Sequence, residues 1–69
     1  MEKVFTVNGM KCEHCEANVE NALKSLDGVN SAKADHVANN VTVDYDEAKV
    51  TPEQMETTVN DLGRYEFVK

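Results

Sequence analysis

Apolar residues in this 69-residue chain recur at two periods, and the order in which those periods alternate leaves few folds open. Phe5 and Val7 stand two apart in the β-rich run Val4-Phe5-Thr6-Val7, which stops at Asn8-Gly9. That pattern predicts a strand near 2–8 with Phe5 and Val7 on its buried face. From Glu13 the period lengthens. Cys15, Val19, Ala22, Leu23 and Leu26 trace one stripe of a helix predicted over 13–26. Asp27-Gly28 closes it, with Gly28 suited to the left-handed residue after a helix end. Ala32 and Ala34 then alternate with Lys33 and Asp35, a strand within 29–36. Val41, Val43 and Tyr45 alternate with Thr42 and Asp44, a clearer strand. Ala38-Asn39-Asn40 supplies turn residues between them, so the two strands form a hairpin.

A second helix is signalled by its first turn. Thr51 is the N-cap, Pro52 fits the first helical position, and Gln54 completes a capping box. Val50 and Met55 can form a hydrophobic staple across that start. Met55, Val59 and Leu62 make the apolar stripe, and Gly63 ends the helix. Tyr65 and Phe67 belong to a last short strand. Strand, helix, strand, strand, helix, strand predicts an α+β fold. It is a ferredoxin-like βαββαβ sandwich with two helices on one face of a four-stranded antiparallel sheet. The chain is a single domain, 1–69, and its core is expected from Phe5, Val7, Val19, Leu23, Val41, Val43, Met55, Val59 and Leu62.

Charge and leader content narrow the function. Seven basic residues against 13 acidic ones give net −6, which argues against nucleic-acid binding. No apolar run approaches the ~20 residues of a membrane span. Met1-Glu2-Lys3-Val4-Phe5-Thr6 has no basic leader, apolar segment or cleavage site, so a soluble, cytoplasmic protein is expected. Thiols stay reduced in that compartment. Cys12 and Cys15, the chain's two cysteines, are therefore read as a metal or redox pair rather than a cross-link.

The chemistry is concentrated in Gly9-Met10-Lys11-Cys12-Glu13-His14-Cys15. The first cysteine lies on the strand-to-helix loop and the second in the first helical turn, which brings both sulfurs to one exposed end. Two adjacent thiolates suit Cu(I), and thiols also select zinc and iron–sulfur centres. The positive end of the helix favours the thiolate form.

Gly-Met-x-Cys-x-x-Cys after the first strand of a βαββαβ domain resembles the heavy-metal-associated domain family. The resemblance extends over essentially the whole chain, through Leu26-Asp27-Gly28-Val29 and Asp61-Leu62-Gly63. A free-standing domain of this length is similar to the family's bacterial copper chaperones, which are not enzymes. The resemblance implies that Cys12 and Cys15 bind Cu(I), with Met10 tucked beneath the loop rather than on the metal. It also implies transfer by thiolate exchange to a copper-transporting P-type ATPase, with a copper-responsive regulator as a further partner. The expected state is a monomer, with a metal-bridged dimer through four thiolates as the alternative.

Many bacterial relatives place Tyr directly after the glycine matching Gly63, and eukaryotic chaperones usually place Lys there. This chain has Arg64 and then Tyr65, so no role is carried over to Tyr65. Arg64 is left as a candidate cation facing the anionic copper bis-thiolate. His14, between the ligands, is expected to face solvent and tune the metal, and Lys11 to point to water. His36 is expected on the surface without a companion. Glu13, Glu16 and Glu20 recur at spacings of three and four, an acidic stripe predicted to dock a less acidic partner.

Two other functions use the same pair. A thiol–disulfide redox protein of thioredoxin type would carry Trp before the motif and Pro within it. Here there is no Trp, and the one proline, Pro52, starts the second helix. A structural zinc site normally needs four ligands. Zinc- and cadmium-pump domains of the same fold often carry an acidic residue at the position of Lys11.

Overall fold

A computed structural model describes residues 1–68. Its elements are β1 (Glu2–Asn8), α1 (Glu13–Lys24), β2 (Val29–Asp35), β3 (Asn40–Tyr45), α2 (Pro52–Asn60) and β4 (Glu66–Val68). The strands form one sheet in the order β2-β3-β1-β4, and every neighbouring pair is antiparallel. β1 and β2 therefore run the same way with β3 inserted between them, the split βαβ arrangement expected from the element order.

Register aligns the apolar positions across the sheet. Phe5 pairs with Val41, Val7 with Phe67, and Ala32 with Val43. Because side chains alternate along a strand, these residues and Ala34, Tyr45 and their neighbours share one buried face. Both helices cover it, α1 with Val19 and Leu23, α2 with Met55 and Val59. Phe5 sits at the centre of the aromatic contacts, its ring 5.0 Å from Phe67 and 6.3 Å from Tyr45.

The start of α2 is built as its sequence predicts. Gln54 N–H donates to Thr51 Oγ1 at 3.3 Å, and Thr51 N–H donates to Gln54 Oε1 at 2.9 Å. Val50 and Met55 are both buried. In the β2–β3 turn, Asp35 Oδ1 accepts from the N–H groups of Val37 and Ala38 at 2.9 and 3.2 Å. Asn39 there takes φ 56°, which Asn tolerates better than most residues.

Both helix ends correct the expectation. α1 stops at Lys24 rather than 26, and Leu26 N–H closes a tight turn onto Leu23 O. Gly28 lies beyond that turn at φ 101°, where a Cβ would also stand 2.7 Å from the Lys49 side chain. α2 stops at Asn60 rather than at Gly63. Leu62 N–H bonds to Val59 O in a three-residue turn, which takes Leu62 off the apolar stripe. Leu62 is 41% exposed and not part of the core. Asn60 Oδ1 accepts the N–H of Phe67 at 3.1 Å; Phe67 fills the core from β4, and Tyr65, expected in that strand, fills it from the segment just before.

Candidate metal centre

The cysteine loop is fixed from beneath before its thiols are considered. Gly9 takes φ 97°, and a Cβ there would meet the Arg64 carbonyl oxygen at 2.5 Å. Only glycine lets the loop after β1 lie this close to the segment entering β4. Met10 is buried and anchors the loop's apolar side, as expected of it. Cys12, exposed, is the N-cap of α1 with extended backbone. Its carbonyl accepts the N–H groups of Cys15 and Glu16 at 3.1 and 3.2 Å. Cys15 is half-buried against the core edge.

Both thiols are free, with their sulfurs 3.9 Å apart. Metal–thiolate bonds of roughly 2.3 Å would span about 4.6 Å in line, so one ion fits between them with a bend or a small opening. Among the described residues no group of three His, Cys, Asp or Glu side chains converges on one point. The donor set is thus a pair of soft thiolates, which matches two-coordinate Cu(I) better than tetrahedral zinc.

Cys15 is the more fully surrounded thiol. A hydrogen bond from the Tyr65 hydroxyl is the largest influence lowering its pKa, and the backbone N–H of Lys11 follows. Burial opposes them, while the N–H and thiol of Cys12 add smaller lowering effects. Together they bring Cys15 down to about 7. The same contact with Cys15 raises the pKa of Tyr65. Asn18 Nδ2 donates to the Tyr65 oxygen at 3.3 Å, which ties Asn18 to the phenol that lowers the Cys15 pKa. The backbone N–H groups that act on Cys15 belong to Lys11 and to the N-cap residue Cys12.

Other expected site residues separate. His14 and Lys11 are exposed, Lys11 contributing through its backbone. Arg64 is exposed and lines a shallow groove with Asn18, Asn21, Leu62 and Tyr65. The Tyr65 pKa is raised, first by its contact with Cys15, and the Arg64 charge is a small influence in the opposite direction.

The acidic stripe and the solitary histidine both need correction. Glu13 is exposed, but Glu16 and Glu20 are half-buried, Glu20 turned onto β2 and Glu16 onto the turn that follows it. Glu20 Oε2 accepts the N–H of Ala34 at 2.8 Å, and Glu16 Oε2 accepts the N–H of His36 at 2.7 Å. The His36 ring Nδ1 also lies 2.6 Å from Glu16 Oε2. His36 therefore has a companion. That backbone hydrogen bond and the ring lower the Glu16 pKa, while the hydrogen bond from Glu16 raises that of His36.

Tyr65, Asn18 and His36 are the residues that sequence reasoning missed. The signal for Tyr65 was present: it alternates with Phe67, so it points inward, and a buried phenol needs a polar partner. Asn18 and His36 carry no such signal, because their partners lie far away in sequence.

The heavy-metal-associated domain family model matches residues 4–64. A copper chaperone CopZ of Staphylococcus haemolyticus is 49% identical over 63 residues, covering 91% of this chain and 93% of that one. A solved CopZ metallochaperone superposes with TM-score 0.92 at 40% identity, covering 99% and 100% of the two chains. The N-terminal domain of a potential copper-translocating P-type ATPase from Bacillus subtilis, solved in the Cu(I)-loaded state, has TM-score 0.89 at 27% identity. That match covers 97% of this chain and 82% of the other.

Proposed function

The chain belongs to the heavy-metal-associated domain family, and on that premise we propose that it is a cytoplasmic copper chaperone. It takes up Cu(I) between Cys12 and Cys15 and passes it to a metal-binding domain of a copper-transporting P-type ATPase. The observation that carries this reading is the pair of free thiols 3.9 Å apart at the start of α1, with no third donor converging among the described residues. A soft two-donor site with an exposed first ligand favours Cu(I) and leaves one side open to an incoming thiolate. The likeness to a Cu(I)-loaded ATPase domain supports the choice of acceptor, since donor and acceptor would then present the same fold.

Transfer follows from coordination number. An acceptor thiolate bonds to the two-coordinate ion, giving a three-coordinate intermediate, and one donor thiolate leaves; a second acceptor thiolate then displaces the other donor thiolate in the same way. No free ion forms, so tight binding and fast transfer are compatible. The bis-thiolate carries net negative charge, which the Lys11 and Cys12 N–H groups and the Tyr65 hydroxyl offset at Cys15.

Anaerobic titration with Cu(I) and Zn(II), each against a competing chelator, tests the assignment. Cys12→Ser and Cys15→Ser are each expected to weaken Cu(I) binding by more than about 100-fold, since even outer partners of a metal are worth 10–100-fold. Circular dichroism should stay unchanged. Tight Cu(I) binding by either variant, or preference for Zn(II) in the parent chain, would reject the proposal.

A further inference from the structure

β2 is an outer strand of the sheet with seven residues; β4, the other outer strand, has three among the described residues. An outer strand offers unpaired N–H and C=O groups to any extended segment that reaches it. Here the N–H of Ala34 is taken by Glu20 of α1, and that of His36, the first residue beyond the strand, by Glu16. The fit is metric. Four helix residues rise about 6.0 Å and two strand residues about 6.6 Å, so carboxylates at i and i+4 match donors at j and j−2.

We infer that the edge of β2 is a self-pairing surface, fitted to the same strand of a second copy of this chain, and that Glu16 and Glu20 hold it closed. In an antiparallel pairing centred on Ala34, the outward N–H and C=O groups of Ala34 exchange bonds across the dyad. Lys33 of each copy then stands opposite Asp35 of the other. Both side chains are exposed on the sheet face away from the helices, where opposite charges directly across a seam are favourable. The glutamates close this edge because a carboxylate accepts the strand's N–H but has nothing to donate to its carbonyls. Held this way, the chain keeps a single copy of its thiol pair at each docking event. The inference stands apart from the copper reading, because it concerns the metal-free, reduced chain.

Sedimentation velocity with reductant and chelator present provides the test. The parent chain is expected to sediment as one chain, and Glu16→Ala with Glu20→Ala to shift towards two chains as concentration rises. Adding Lys33→Asp to that opened chain should return it to one, since it places like charges opposite each other. An opened variant that folds yet stays single at all concentrations, or one whose pairing ignores Lys33→Asp, would overturn the inference. Should the double variant not fold, Glu20→Ala alone, which frees the Ala34 N–H at the dyad, takes its place in the same sedimentation test with Lys33→Asp. Amide exchange in the parent chain tests the closure itself. Closure predicts that Ala34 and His36 exchange about tenfold or more slowly than unprotected amides. Unprotected exchange at both would overturn it.

Discussion

Cys15 shows how a residue's chemistry is set by what touches it. A free thiol titrates near ~8.5, whereas Cys15 is lowered to about 7, chiefly by the Tyr65 hydroxyl and then by the Lys11 N–H. Thiolate alkylation of the apo chain, resolved by site in a mass spectrometer, should show a midpoint near that value. Tyr65→Phe removes the largest influence but not the N–H groups, so the midpoint should rise part of the way towards ~8.5. Asn18→Ala should move it less and in the same direction, since Asn18 polarises the phenol it donates to. An unmoved midpoint in Tyr65→Phe would remove Tyr65 from the site. The sign for stability follows from the lowered folded pKa. The contribution from Cys15 is full above its unfolded value and is lost as pH falls through about 7. Arg64 reaches this thiol only through the phenol, and Arg64→Ala should weaken Cu(I) binding by less than about tenfold.

At the level of elements, α1 is tied to the β2–β3 turn by the Glu16–His36 contact, and that tie has a pH window. Glu16 has a lowered pKa, so its contribution is present above the ordinary ~4.3 and lost as pH falls through the folded value. His36 has a raised pKa, so its contribution is present below the ordinary ~6.5 and lost as pH rises through the folded value. Thermal melts should therefore show a gain between those limits. His36→Ala should abolish its loss at the upper limit and only reduce its loss at the lower one, because the backbone N–H that acts first on Glu16 remains. α2 depends on its own start, and Thr51→Ala should cost about 1 kcal/mol in denaturant melts. These two helices also show what a sequence can and cannot say. The capping box of α2 and the apolar stripes are encoded within a few residues, so both helices, all four strands and the cysteine loop were legible. Leu62 was misplaced because a stripe says nothing about where helical phase ends, which here depends on Asn60 capturing Phe67 N–H. Glu16, Glu20 and His36 were misread because their partners lie 14 and 20 residues away, beyond any local pattern.

At the scale of the molecule, net charge −6 sets the long-range field met by any acceptor. Glu16 and Glu20 are counted in that charge, but they are bonded to the N–H groups of His36 and Ala34 and are not a free docking face. Glu13 is exposed beside Cys12, where an acceptor thiolate would arrive under the proposed function. Charges so placed act mainly on the encounter rate, and salt screens them over about 8–10 Å at ordinary ionic strength. With an acceptor domain whose metal-loop surroundings are less acidic, stopped-flow transfer of Cu(I) should slow several-fold as salt rises from low to physiological levels. Reversing Glu16 or Glu20 cannot test this cleanly, because it would also break the contacts to His36 or Ala34. Glu13→Lys can, and it should slow transfer at low salt while leaving rates at high salt nearly unchanged. The apo thiol alkylation profile serves as the control that the site itself is intact. Rates that are flat with ionic strength, or faster in Glu13→Lys at low salt, would show that this end of the molecule does not steer the encounter through its negative charge.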